Sequence, residues 1–533
     1  MKRINWLILI TSIFISLSFN LKFAIKKGLD YFVNDFHINF VFIIKTTIIS
    51  IIIYFILYLL FKLLDKTKLN NKKLEITKTI KIKIFILILI PSLVYLIVHY
   101  PAVYLNDTNF ILYSPIYMSY GHPLFYEIIM SLIFFSFKVF FSPSISVFIM
   151  SIIQALISSI IITEVIVWFN SKIKNKLLTI ILILYYFLPP IIANYNIALN
   201  KDTPYSLMML IFFVLIYEFI ETKGKILLEK KYLIKLIIVS IITIYIRTNG
   251  IYVIIPTLFI LFIVYGLKNH IIRYISIIVL IIVFSLIQTI TIDLIGVAYL
   301  KREMYAVPIQ QICYMVKYHP NELSNKDYRL LSKIIKKTKK TINKNYNEYE
   351  VDNIKIHNNF DDKAFNKYEK EFVILWLKNL PSNLSSYTKA YLLNTYHLWS
   401  IDKIDKTQSI IEIASVVGIK EDKRIYNKAI LPKPIQDIFI SFYKIFNTYI
   451  NPAGCFILLL ITNTYALYRK RKEVVLLSLP LLMTWLVLMI ASPMSSALRY
   501  IAPYIYILPI IMLYTFNITR KDVKNGLSKK SKN

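Results

Sequence analysis

The sequence predicts an all-α polytopic membrane protein. It would have about twelve transmembrane helices, an external juxtamembrane helix over 124–142 and a mostly helical external domain. Three observations predict this. Hydrophobic residues make up 57% of the 533. Apolar runs approaching the ~20 residues that cross a bilayer core recur along most of the chain. These runs lack the period-2 alternation of barrel strands, and only helices or closed barrels satisfy the backbone in hydrocarbon. With nine glycines in the whole chain, long helices go unbroken.

The net charge of +33 raises the question of nucleic acid. We exclude that partner, because much of the excess lies in short connections between apolar runs, the pattern of cytoplasmic anchoring. Two cysteines, Cys313 and Cys455, rule out a disulfide framework or a zinc ribbon and leave at most one bridge. The first apolar run has no small-residue cleavage site, so it reads as a retained span.

Basic connections fix the orientation. Those at 62–83, 171–176, 221–235, 268–273 and 469–472, and the tail from 520, belong in the cytoplasm. Three apolar runs lie between the first two of these connections, so one run does not cross. The middle run, LFYEIIMSLIFFSFKVFF, carries Glu127 and Lys138. A charge near the bilayer centre costs roughly 3 kcal/mol on insertion scales. That run therefore reads as a helix lying in the outer interface. Spans are expected near 4–21, 38–61, 84–100, 145–169, 177–194, 205–220, 233–247, 251–267, 274–294, 453–468, 475–491 and 501–517, with both termini cytoplasmic in the cell membrane. The chain divides into a transmembrane module (1–294), an external domain (295–452) and C-terminal spans with a basic tail (453–533). In the domain, Leu330, Leu331, Ile334 and Ile335 share a helical face among lysines. The aromatic stretch 371–399 is patterned to lie on the membrane surface.

The external connections are poor in charge, so the charges they hold stand out. The loop 100–123 has Asp107 as its ionisable acid and no lysine or arginine. Lys201 and Asp202 sit in 195–204, Arg247 in the turn RTNG, and Arg499 in the last external loop; Asp293 lies near the outer end of its span. Each has a plain structural reading. Asp107 can cap a helix, the arginines can snorkel to lipid phosphates, and His122 in GHP can be a turn residue. Gln154 and Glu164 can make interhelical contacts. No nucleotide-binding glycine loop, metalloprotease helix or catalytic triad spacing is present.

The joint pattern suits sugar transfer from a lipid phosphate carrier. The carrier phosphate is a good leaving group and calls for cations. The acceptor hydroxyl is a poor nucleophile and calls for a carboxylate base. A polysaccharide polymerase or ligase acting on lipid-linked glycans, or a lipid-linked sugar flippase or other transporter, would use similar groups. Transporters, however, tend to place charge near the midplane on broken helices of repeated halves.

Several short motifs resemble the C-type (GT-C) membrane glycosyltransferase superfold, and poorly characterised bacterial multi-span proteins near it. They are Asp107 after a span, GHPLF at 121–125, Gln154, NKD at 200–202, RTNG at 247–250, QQI at 310–312 and RYIAP at 499–503. The resemblance covers a core of about 84–294, extends to 312, and includes the last spans. It implies Asp107 as catalytic base, with Asp202 as its support or as a ligand to a divalent metal (Mg or Mn). Lys201, Arg247 and Arg499 would hold the carrier phosphate, and His122, Gln154, Asn249 and Gln310 would contact substrate. The donor would be a polyprenyl-phosphate-linked sugar, and the acceptor a cell-envelope glycan, lipid or protein. Two features depart from the superfold: no second acid adjoins Asp107, and two spans precede the one that leads to it.

Overall fold

A computed structural model gives the fold. It describes residues 5–26, 40–67, 72–104, 108, 123–266, 271–294, 301–355, 359–401, 430–448, 450–491 and 498–530. The described residues are mostly helical. The first half forms α1 (Trp6–Lys26), α2 (Phe40–Lys66), α3 (Lys78–Val98), α4 (Leu124–Lys138), α5 (Pro143–Ile173), α6 (Lys176–Phe187) and α7 (Pro190–Ile197). Then come α8 (Asp202–Glu221), α9 (Lys230–Ile246), α10 (Ile251–Tyr265) and α11 (Ile271–Leu294).

Among the described residues, seven helices are long and apolar enough to cross a membrane. They are α2, α3, α5, α8, α10 with its preceding turn, α11 and the segment Arg499–Thr519. The pair α6 and α7 makes an eighth if its 60° bend is one broken span. Trp6–Asn20, Pro452–Tyr468 and Leu479–Ile490 are apolar but shorter. The protein is a multi-pass, membrane-embedded helical bundle. At 15 residues, α4 is about 22 Å long and does not reach across a ~30 Å core. Its inner face, Tyr126, Glu127, Met130 and Phe134, packs on α5 and α9, while Leu132 is exposed.

Helix ends follow local chemistry. Ser142 caps α5 ahead of Pro143, and Asn175 caps α6 by accepting from the Leu178 amide at 3.1 Å. The diproline Pro189–Pro190 causes the bend between α6 and α7, because Pro190 cannot continue the hydrogen-bond ladder. A second proline, Pro509, lies inside the last helix and deprives the Ile505 carbonyl of its usual donor. The Tyr185 hydroxyl of α6 donates to that carbonyl at 2.8 Å, and Tyr186 donates to the Tyr506 carbonyl at 2.5 Å. This is how a membrane helix keeps a proline: a neighbour supplies the missing donor.

At the end of the bundle away from Arg247, Asn170 brackets the extended chain before α3. Its amide accepts from the Leu74 N–H at 3.3 Å and donates to the Leu74 carbonyl at 2.8 Å. Asp65, Tyr465 and Arg469 tie α2 to helix Pro452–Tyr468 at the same end.

The region 301–399 builds its own hydrophobic core. It contains α12 (Ala306–Tyr318), α13 (Asn325–Ile334), α14 (Thr338–Asn345), α15 (Asp352–Lys355), α16 (Asp362–Lys367), α17 (Glu369–Asn379), α18 (Leu384–Asn394) and α19 (Tyr396–Trp399). Leu331, Ile334 and Ile335 face inward, as their spacing predicts. The stretch 371–399 differs from the expectation of a helix flat on the membrane. It folds into α17, α18 and α19, with α18 packed on α12 and with Phe372, Tyr387 and Trp399 buried, leaving the aliphatic Ile374, Leu377 and Leu384 exposed. The domain joins the bundle through α19: Trp485 Nε1 donates to the Leu398 carbonyl at 3.0 Å, and Ser400 Oγ to Ser18 O at 3.3 Å. The chain then continues through α20 (Lys433–Thr448), α21 (Pro452–Tyr468), α22 (Lys472–Leu477), α23 (Leu479–Ile490) and α24 (Ala502–Lys530).

Candidate functional site

The site is built where α8, α9 and the approach to α24 meet. Asn200 starts α8: its Oδ1 accepts from the Thr203 amide at 2.9 Å and from the Thr203 hydroxyl at 3.2 Å. That turn delivers Asp202, 1% exposed, to the first position of the helix. A carboxylate there is favoured by the helix dipole. Arg247 ends α9 in extended backbone and is also buried. Its Nη1 forms an ion pair with Asp202 Oδ1, across 45 residues of sequence. The guanidinium lies 4.5 Å from the ring centre of Tyr500 and 5.4 Å from that of Tyr205. Arg499 stands over the same Tyr500 ring at 5.0 Å, and its Nη2 donates to the Tyr500 hydroxyl at 3.2 Å. Two arginines therefore share one aromatic ring, an arrangement that holds positive charge with little water.

Gly250 shows why the turn after Arg247 needs its glycine. A Cβ there would stand 3.3 Å from the Thr243 carbonyl oxygen and 3.3 Å from the Tyr205 ring.

Residues 103, 104 and 108, after α3, meet the chain just ahead of α8. Val103–Tyr104 (β1) pairs in parallel with Ala198–Leu199 (β2), three residues ahead of Asp202, and the Thr108 hydroxyl donates to the Leu199 carbonyl. Gln154 of α5 holds β2 from behind, donating to the Ala198 carbonyl at 2.6 Å and to that of Asn196 at 3.3 Å. Asn196 is itself held by Tyr506 and Ser92.

Of the residues expected from sequence, the structure brings together Asp202, Arg247 and Arg499, with Lys201 partly exposed beside Asp202. Asn249 is half-buried in the turn that follows Arg247. Asp107 and His122 lie outside the described residues. Gln154 acts on backbone carbonyls. Gln310 belongs to the core of the 301–399 region, where its amide nitrogen engages the Tyr346 hydroxyl and the carbonyls of Asn347 and Glu348. Glu164 pairs with Lys81 at 2.5 Å on the bundle surface.

Sequence reading missed Tyr205 and Tyr500, although both lie within three residues of a charge it singled out. It also passed over Tyr195, and it read Asn200 only as part of NKD. Tyr195 OH, Asn200 Nδ2 and Asp202 Oδ2 are buried and have no hydrogen-bond partner among the described residues. Buried polar atoms left without a partner are costly, so these three are groups whose hydrogen bonding the described residues do not complete.

A metal fits this group poorly. Among the described residues, no three His, Cys, Asp or Glu gather as a metal site. Arg247 already neutralises Asp202, which makes that carboxylate a weak ligand for a divalent cation.

A family model for a family of unknown function, DUF6020, matches residues 94–529. The chain belongs to DUF6020. The DUF6020 match runs from the end of α3 into α24, so it contains the whole Asp202–Arg247–Arg499 cluster and leaves α1 and α2 outside. No curated protein and no solved structure matches the chain.

Proposed function

We propose that this DUF6020 protein is a glycosyltransferase of the cell membrane, moving a sugar from a polyprenyl-phosphate carrier to a cell-envelope acceptor at the outer face. The observation that carries the reading is the pair of arginines on Tyr500, one of them ion-paired to Asp202, at the end of an apolar bundle. A lipid-borne phosphate needs cations at headgroup depth, and a buried Arg247 beside a half-buried Arg499 would supply them.

In this reading twelve spans cross the membrane, both termini are cytoplasmic, and 301–399 lies outside with α4 as a juxtamembrane helix. Asp107 takes the proton of the acceptor hydroxyl. That oxygen attacks the anomeric carbon from the face opposite the carrier, the bond from carbon to phosphate oxygen breaks, and the configuration inverts. The carrier leaves as its phosphate, whose growing charge meets Arg499, Lys201 and Arg247. Asp202 serves as a positioning residue that holds Arg247 toward the phosphate. No step requires a metal.

The test is a purified assay in nanodiscs with a panel of polyprenyl-phosphate sugars, scored for release of carrier phosphate. Asp107→Asn is expected to abolish release while leaving folding and insertion intact. An Asn variant that remains active would remove Asp107 from the chemistry.

The bend between α6 and α7 favours one competing reading, a flippase, because broken helices recur at transporter binding sites. Movement of labelled carrier across the bilayer without sugar transfer would select it.

A further inference from the structure

Helix α20 sits at the end of a long segment whose average composition is polar, yet it does not join the core of 301–399. It packs on α3 and α7 of the bundle. Tyr443 is fully buried in the bundle core, Phe439 packs against that core, and the Phe439 ring lies 5.8 Å from Tyr95 of α3. The bundle covers only part of the apolar face. Ile435, Ile438, Phe442 and Ile445 follow at helical spacing and are 42%, 67%, 47% and 59% exposed. On the remaining side lie Lys433, Asp437, Ser441 and Lys444, all exposed.

This exposure matches that of residues on a helix apolar enough to cross the membrane. Ile52 and Ile56 of α2 are 51% and 56% exposed. The helix α20 is 16 residues long, about 24 Å, too short to cross. An apolar stripe continuous with a membrane-embedded bundle, opposite a charged stripe, fits one environment: the boundary between acyl chains and headgroups. The polar stripe has two lysines and one aspartate, so apolar burial rather than charge would hold it there.

We propose that α20 is a membrane-interface helix, with Ile435, Ile438, Phe442 and Ile445 in the acyl chains of the leaflet beside the candidate site and Asp437 in the water layer. The bilayer, rather than protein, then forms the wall flanking α3 and α7 at this point. The inference does not depend on the glycosyltransferase reading.

The test is spin labelling of the full chain in phosphatidylcholine nanodiscs. Ile438→Cys, Ile445→Cys and Asp437→Cys are made separately with Cys313 and Cys455 replaced by Ala, and only monodisperse variants are read. Collisions with lipid-soluble oxygen and with a water-soluble nickel chelate are compared. The expected result is an oxygen-to-nickel ratio severalfold higher at 438 and 445 than at 437, unchanged by high salt. Equal ratios at all three positions would place the helix in water and overturn the proposal. Shielding of 438 and 445 from both reagents would also overturn it, by showing that protein, another region or a second copy, covers the stripe. The two apolar positions lie two turns apart, so loss of one variant leaves the test intact.

Discussion

Helices α2 and α8 both read as transmembrane spans, yet they live in opposite surroundings. The more apolar one, α2, has 11% of its most apolar stretch buried inside the protein; for α8 the figure is 72%. In water the order would be reversed, because apolar helices seek the core. In a bilayer the solvent is itself apolar, so an unbroken isoleucine-rich helix gains nothing by hiding. The helix that carries Asp202, Thr203 and Ser206 is the one that needs neighbours, and it packs on α5, α9, α22 and α24. Between these two helices, the higher hydropathy marks the periphery and a slight loss of hydropathy marks the centre.

The sharpest way to break that comparison is Arg247→Ala. It strands the Asp202 carboxylate in the bundle, and removing one partner of a buried pair costs about 3–5 kcal/mol. A large fall in thermal midpoint in detergent is expected, with much of it regained when Asp202→Asn is added. A single variant that melts like the parent would show the pair to be hydrated. Next comes a matched truncation. Phe212→Ala, fully buried on α8, is expected to lose roughly 3 kcal/mol, whereas Ile52→Ala on α2 should lose about 0.5 kcal/mol or less. Equal losses in denaturation would dissolve the distinction between centre and periphery. A smaller effect, about 1–2 kcal/mol, is expected for Gln154→Leu, which leaves the Ala198 and Asn196 carbonyls without this donor.

The smallest effect lies outside the membrane, where water screens charge. Glu369, at the start of α17, is held below the ordinary carboxylate range by hydrogen bonds from Lys301 and Tyr305. A lowered folded-state value means the contact stabilises above the unfolded value, about 4.3, and fades as pH falls through the lowered one. Protection of the amides around 301–305, taken relative to their intrinsic exchange rate at each pH, should therefore fall at acid pH in the parent. In Glu369→Gln the protection should already be lower at neutral pH and show less pH dependence.

The membrane fold was legible because the bilayer demands long apolar helices, and composition alone reveals them. Seven of the described helices are long and apolar enough to cross, the expected spans 177–194 and 475–491 each fall on two helices separated by a break, and α4 is too short to cross. The charges of NKD, RTNG and RYIAP were legible as unusual. Their pairing was not: Arg247 reads as a phosphate clamp when considered alone, and only the fold supplies Asp202 as its counter-ion from 45 residues away. The tyrosines escaped notice because 40 of them are scattered through the chain, so one beside an arginine carries no signal until its ring is seen beneath a guanidinium. Helix α20 was hidden by averaging over 295–452, although its own stripe of Ile435, Ile438, Phe442 and Ile445 was there to be read.

The two-residue ladder between β1 and β2 has a mechanical consequence. With Leu199 gripped by Tyr104 on one strand and by the Thr108 hydroxyl on its carbonyl, residues 103, 104 and 108 are pinned to the backbone three residues ahead of Asp202, so the joint that seats this carboxylate is made by two stretches of chain rather than one.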